Sequence, residues 1–173
     1  MLGITVSNTP GAVDEATATT AVYLLIATMR RFSECEAQLR SGAFGPLKHV
    51  EAGARDLSGK TIGILGMGGI GLTFVNLIRP FGMTMIYHNR RQSTAAPADV
   101  PYVPELYDML RKVDVLLISI PLSETTRGFI GANEIRAMKQ GSIIINTARG
   151  PIIDEEAMIM ALQDGHVSLS PFP

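Results

Sequence analysis

Residues 61–71, Thr-Ile-Gly-Ile-Leu-Gly-Met-Gly-Gly-Ile-Gly, constrain this chain more than any other stretch. An apolar run (Ile62, Ile64, Leu65) leads directly into Gly66, Gly68 and Gly71 at GxGxxG spacing. Leu72, Val75, Leu77 and Ile78 follow at intervals that can line one side of a helix. The physical content of the pattern is a strand, a tight turn and a helix. Gly66 permits the turn, Gly68 lets the backbone approach a pyrophosphate, and Gly71 lets the helix pack closely on the sheet. The helix N-terminus then offers free N–H groups and the positive end of its dipole to an anion. The stretch reads as the start of a dinucleotide site. A Gly-rich turn without a ligand is the alternative, and the apolar flanks weigh against it.

The rest of the chain alternates strand and helix signals around this unit. A short alternating piece (Leu2, Ile4, Val6) ends in the turn Asn8-Thr9-Pro10-Gly11. From Asp14, read as an N-cap, Val22, Leu25, Ile26 and Met29 recur at helical spacing, Ser33-x-x-Glu36 suggests a capping box for a further turn of helix, and Gly42 ends it. Residues 41–60 carry no period and read as a linker. Past Pro80 and Gly82, residues 83–88 form a second strand, Pro104 opens a helix to Lys112, and residues 113–120 are a strand covered on both faces. A short helix over 134–139, a strand over 142–146, and a helix capped by Asp154 and closed by Gly165 complete the series. Such alternation predicts an α/β fold: a doubly wound, Rossmann-type parallel sheet with helices on both faces.

Composition sets limits on partners. The 173 residues, 46% of them apolar, suffice for one core. A net charge of −1, from 15 basic and 16 acidic residues, gives no reason to expect a nucleic-acid or membrane surface. The apolar stretch 21–29 is too short to span a bilayer. The single Cys35 cannot form an internal disulfide, and no secretory signal opens the sequence, which predicts a cytoplasmic setting. No metal site is expected, and Met83, Met138, Met158 and Met160 read as core fill.

In a parallel sheet of this kind ligands bind beyond the carboxyl ends of the strands. The informative residues are therefore Gly66 to Gly71, Asn89, Arg90 and Arg91 after the second strand, Pro121 to Thr126 after the third, and Thr147, Ala148 and Arg149 after the fourth. An NAD enzyme usually places an acidic residue on the ribose hydroxyl about 20 residues past the glycines. Here Asn89 stands there, followed by two arginines whose guanidinium groups match a 2′-phosphate, so NADP is expected in preference to NAD. The plainer alternative is a pair of solvated surface arginines. Arg149 could hold a substrate carboxylate and polarise a neighbouring carbonyl, or merely cap a helix. His49, His88 and His166 read as structural or solvated.

These motifs together resemble the D-isomer-specific 2-hydroxyacid dehydrogenases. The resemblance is carried by Asn8-Thr9-Pro10-Gly11 with Glu15-Ala16-Thr17-Ala18, by residues 63–71, by Pro121-Leu122-Ser123-Glu124-Thr125-Thr126, by Met138-Lys139 and by Asn146-Thr147-Ala148-Arg149-Gly150. Tyr87-His88-Asn89-Arg90-Arg91 looks most like the glyoxylate/hydroxypyruvate reductase branch. The resemblance implies that Gly68, Gly69 and Ile70 meet the pyrophosphate, Asn89 and Arg90 the ribose or its phosphate, and Pro121, Thr126 and Thr147 the rest of the cofactor. It implies that Arg149 is the substrate-binding catalytic arginine, that a 2-oxo acid is reduced by hydride transfer, and that the domain forms a homodimer.

The sequence also departs from the family pattern. Residues 1–13 read as the remnant of an interdomain crossover, 14–165 as the NAD(P)-binding domain, and 166–173 as a tail without the family's catalytic glutamate and histidine. A substrate domain is missing on this reading. Two function classes are expected: an oxidoreductase whose truncated chain does not turn over, or a non-catalytic dinucleotide-binding or dimerising module.

Overall fold

The computed structural model describes residues 7–42 and 53–168. The expected strand at residues 1–6, residues 43–52 of the linker, and residues 169–173 of the tail lie outside the described residues. Four parallel strands, β1 (Thr61–Leu65), β2 (Thr84–His88), β3 (Val115–Ile118) and β4 (Ile143–Asn146), form one sheet in the order β2-β1-β3-β4. Ile62 lies opposite Met85 and Val115, and Val115 opposite Ile143, so all four carboxyl ends emerge along one edge. The α-helices that lie wholly among the described residues are α1 (Asp14–Arg30), α2 (Phe32–Arg40), α3 (Gly69–Ile78), α4 (Leu106–Leu110), α5 (Ala132–Ala137) and α6 (Glu155–Gln163).

Strand pleating sorts the core into two layers. Ile62, Ile64, Val115, Leu117, Ile143 and Ile145 face α1 and α3 on one side, packing with Ala21, Leu25, Met29, Phe74 and Ile78. Leu65, Leu116, Ile118 and Ile144 face the other side with Met109, Leu110, Ile135 and Ala161. Both faces of the sheet are apolar, which accounts for the nearly continuous hydrophobic runs in the strands. Gly63 is the exception that fits: a Cβ there would stand 2.7 Å from the Val113 side chain and 3.1 Å from the Met109 sulfur.

Several local expectations need correction. Asp14 is the first residue of α1, not its cap; Val13 holds the cap position with no side-chain bond. The Ser33 capping box does not form, because Arg31 adopts the left-handed conformation (φ 55°) and separates α1 from α2, leaving Ser33 inside the second helix. Glu36 pairs with Arg40 instead. Arg31 is held there by a two-bond contact to Glu34, and the Met29 carbonyl accepts from the Arg55 N–H at 2.7 Å. The apolar stripe of α1 is covered by the chain itself: Leu25 and Met29 are buried, and Val22 and Ile26 pack against the same layer. The large apolar side chains that α1 and α2 expose are Tyr23, Phe32 and Leu39. Leu77 and Met160 are also exposed, while Phe74 takes the buried place on α3.

The helix expected from Pro104 is shorter, because Glu105 is still extended and only residues 106–110 are helical. Strand β3 is likewise shorter than expected. At its start Asp114 turns its carboxylate to the Thr61 N–H (2.8 Å) and to Lys139 Nζ (3.0 Å), tying β1, β3 and the loop after α5 together at the amino edge. Burial pushes the Asp114 carboxyl up, but the Thr61 N–H and the Lys139 ammonium outweigh it and hold the group below the usual carboxylate range. Asp154 does cap α6, accepting from the Ala157 N–H at 3.0 Å, and Gly165 (φ 72°) follows its end.

A single parallel bridge, Ser142 with Val167, continues the sheet past β4, and the Ser168 N–H donates to the Ser142 carbonyl at 2.8 Å. His166 is buried beside it, with Nδ1 3.1 Å from Gln140 Oε1 and Nε2 3.0 Å from the Ile135 carbonyl. It serves packing and hydrogen bonding at the edge opposite the crevice. No helix among the described residues is long and apolar enough to cross a membrane.

Candidate functional site

The carboxyl ends of β1 and β2 build one side of a crevice. Leu65 passes into Gly66, whose φ of 108° belongs to the left-handed half of conformational space. A Cβ there would stand 2.5 Å from the Ser119 carbonyl oxygen, so the turn is wedged against the end of β3. Two backbone bonds fix it: the Gly66 N–H donates to His88 O (3.1 Å), and the Ser119 N–H to Leu65 O (2.8 Å). Gly71, one turn into α3, would place a Cβ 2.3 Å from the Gly66 carbonyl oxygen. Only a glycine lets the helix sit this close to its own entry turn. Gly68 differs from both: nothing lies within 4 Å of where its Cβ would be. Its bareness serves nothing in the protein's own packing, and an approaching ligand is what would use it.

Gly69 has a reason that the sequence did not announce. A Cβ there would stand 1.9 Å from Asp14 Oδ2, because the first residue of α1 lays its carboxylate on the start of α3. Ile70 follows in the first turn of α3, half-buried.

After β2, Asn89 turns inward. Its Oδ1 accepts from the Met67 N–H at 2.8 Å, so the residue expected at a ribose holds the glycine turn in place. Arg90 and Arg91 are exposed, and neither makes an ion pair among the described residues. His88 Nδ1 lies 2.9 Å from the Val103 carbonyl, which makes it the donor and fixes the orientation of the ring.

The ends of β3 and β4 form the other side. Thr126 Oγ1 accepts from the Ser123 N–H and lies 2.7 Å from the Pro121 carbonyl, so this hydroxyl closes the 121–126 loop. After β4, Asn146 organises the turn: its Oδ1 accepts from the Ala148 N–H and its Nδ2 donates to the Arg149 carbonyl, each at 3.0 Å. Thr147 Oγ1 is buried without a hydrogen-bond partner among the described residues. It lines an open cavity of about 440 Å³ together with Val13, Ala16, Thr17, Thr20, Leu24 and Asn146. Arg149 is exposed, with one guanidinium nitrogen on the Ala148 carbonyl at 2.7 Å.

Sequence reasoning thus found the turns but missed Asp14, Asn146 and the α1 wall formed by Thr17 and Thr20. An asparagine closing an apolar strand was the available signal for Asn146. No group of three His, Cys, Asp or Glu side chains among the described residues is placed to hold a metal.

A dinucleotide fits these residues on two observations: Gly68 leaves open space at the N-terminus of α3, and Thr147 offers an unsatisfied hydroxyl at the far strand end. Comparison with known proteins agrees. The chain is 42% identical over 166 residues to 4-methyl-2-oxopentanoate reductase A of Aspergillus oryzae, covering 95% of this chain and 49% of that protein. It is 39% identical over 173 residues to a glyoxylate reductase of Aeropyrum pernix, covering 96% and 51%. Among solved structures, a glyoxylate reductase from Paecilomyes thermophila superposes with a TM-score of 0.84 at 39% identity, covering 95% of this chain and 49% of that one. D-mandelate dehydrogenase of Rhodotorula graminis gives 0.87 at 30% identity, covering 95% and 50%. The chain spans about half the length of the curated relatives it matches. Those relatives are named as reductases and dehydrogenases, and residues 22–170 match the family described as D-isomer specific 2-hydroxyacid dehydrogenase, NAD binding domain, to which this chain therefore belongs.

Proposed function

We propose that this domain binds NADP in preference to NAD and serves an oxidoreductase that reduces a 2-oxo acid of the glyoxylate or hydroxypyruvate type. The observation that carries the preference is the pair of exposed, unpaired arginines, Arg90 and Arg91, directly after β2 where no acidic residue stands. An acidic side chain there would repel a 2′-phosphate; a guanidinium can bind it through two parallel hydrogen bonds. On this reading the backbone at Gly68, Gly69 and Ile70 takes the pyrophosphate, with Gly66 and Gly71 shaping the turn. Asn89, through its remaining amide, meets the ribose beside Arg90 and Arg91. Pro121, Thr126, Thr147 and Ala148 border the remainder, and Thr147 gains the partner its hydroxyl lacks. The bound nicotinamide supplies the hydride. Arg149, without an acidic partner among the described residues, orients the carboxylate of the substrate and draws electron density from its carbonyl.

The 173 residues alone are expected to bind the cofactor without appreciable turnover, the behaviour of a non-catalytic binding module. Both ring nitrogens of His166 are spent on structural hydrogen bonds, His88 Nδ1 is bonded to the Val103 carbonyl, and His49 lies outside the described residues. A positioned acid–base group is worth about a hundredfold to ten-thousandfold in rate. Within the same reading the domain works in the cytoplasm as a homodimer, supported by the exposed Tyr23, Phe32 and Leu39 rather than by the buried stripe of α1.

Fluorescence titration with NADPH and NADH tests the preference, with Arg90→Ala beside the wild type. NADPH should bind about tenfold more tightly, and the substitution should remove most of that advantage. Equal affinities, unchanged by Arg90→Ala, would overturn it. Absorbance of the reduced nicotinamide in the presence of glyoxylate or hydroxypyruvate reports turnover, and sedimentation of the same sample reports the dimer.

A further inference from the structure

Two tyrosines hold the segment on which the proposed NADP preference depends. Tyr87, the penultimate residue of β2, is 1% exposed, and its ring lies 5.3 Å from that of Tyr102 at an interplanar angle of 42°. The two residues form a parallel bridge, with the Tyr87 N–H on the Pro101 carbonyl at 3.0 Å and the Val103 N–H on the Tyr87 carbonyl at 2.8 Å. Their hydroxyls reach opposite ends of the turn that follows β2. Tyr102 Oη donates to the Asn89 carbonyl at 3.1 Å, and Tyr87 Oη accepts from the Ser93 N–H at 3.1 Å. With the Asn89 side chain fastened to the Met67 N–H, both ends of the segment are pinned, and between them lie Arg90, Arg91 and Gln92.

We propose that Tyr87 and Tyr102 are positioning residues for dinucleotide selectivity: by fixing the backbone at Asn89 and Ser93 they hold Arg90 and Arg91 ready for a 2′-phosphate. The inference rests on the NADP reading above. Its physical basis is preorganisation. A loop that must be ordered on binding loses conformational entropy against every contact its arginines make, whereas a loop already fixed does not. A tyrosine hydroxyl at the edge of a core needs a partner in any case. Satisfying it on the backbone of the very residues that flank two free guanidinium groups converts an ordinary packing requirement into control of the loop. NADH lacks the 2′-phosphate and gains only what Asn89, already held by its own side chain on the Met67 N–H, offers the ribose.

Tyr87→Phe and Tyr102→Phe keep the rings and remove only the hydroxyls. Dissociation constants for NADPH and NADH are measured on the full chain for both variants, the wild type and Arg90→Ala, with thermal midpoints alongside. Each phenylalanine should weaken NADPH about fivefold, the loss of one such hydrogen bond, and leave NADH within about twofold. A purely structural role would move the midpoint or both dinucleotides together. Equal weakening of the two, or of neither, overturns the inference. A wild type without NADPH preference removes the NADP reading and the inference with it. Preference abolished by Arg90→Ala but retained in both phenylalanine variants leaves the NADP reading intact and overturns only the role of the tyrosines.

Discussion

The two sides of the crevice are finished to different degrees. At the ends of β1 and β2 the groups that shape the turns are spent within the protein: the Gly66 N–H on His88, Asn89 Oδ1 on Met67, the hydroxyls of Tyr87 and Tyr102 on the loop backbone, while the exposed Arg90 and Arg91 have no ion pair among the described residues. At the end of β4 the backbone turn is just as well held, by Asn146, but the side chains it presents are not. Thr147 buries a hydroxyl with no partner, and Arg149 reaches only its neighbour's carbonyl. The difference separates two tasks. On the first side folding satisfies the buried polar groups and only exposed arginines stay in reserve; on the second a buried hydroxyl is itself left unsatisfied among the described residues.

The strongest way to break this contrast is at Gly66. Gly66→Ala combines a positive φ with a Cβ 2.5 Å from a backbone oxygen, and should destabilise the fold by about 3 kcal/mol or more, read as a large drop in the urea midpoint. Gly68→Ala meets open space, so the same measurement should show little change while cofactor affinity falls. Equal destabilisation by both would mean that Gly68 also serves packing. A smaller effect of opposite sign is expected across the crevice. Thr147→Val removes the unsatisfied hydroxyl and should raise stability by about 1 kcal/mol in the free protein while weakening the dinucleotide. A loss of stability would show that Oγ1 already has a partner. Smallest of all, Arg149→Ala should leave the thermal midpoint and cofactor affinity nearly unchanged, within about 0.5 kcal/mol, as for an exposed side chain without structural duty.

The same contrast explains what could be read from the sequence. Strands, glycine turns and the Asp154 cap were legible because their signals are local: alternation, left-handed positions, one acceptor beside one exposed N–H. Residues whose function is set by a distant partner were not. Ser33-x-x-Glu36 announced a second helix but not how the first one breaks, since no glycine or proline stands at Arg31; the left-handed backbone is held by Glu34 and by the tie from Arg55 to Met29. The α1 stripe was legible from its spacing, but its cover, Phe74, Val75 and Ile78, lies far along the chain and was not. Asn89 was legible as a position but not as an orientation, and Thr126 was found in the right loop while its hydroxyl is used to close that loop.

The contact of Asp14 with Gly69 bears on how such chains can be recombined. The carboxylate of one residue fills the space that a side chain on the other would need, so the two positions share a single vacancy. A glycine turn transplanted from a relative with any larger residue at the second position cannot be accommodated here unless the first is shortened or turned away. A boundary for exchanging modules placed before Asp14 keeps this contact whole, whereas a cut between the two positions leaves it to the rotatable Asp14 carboxylate to turn aside.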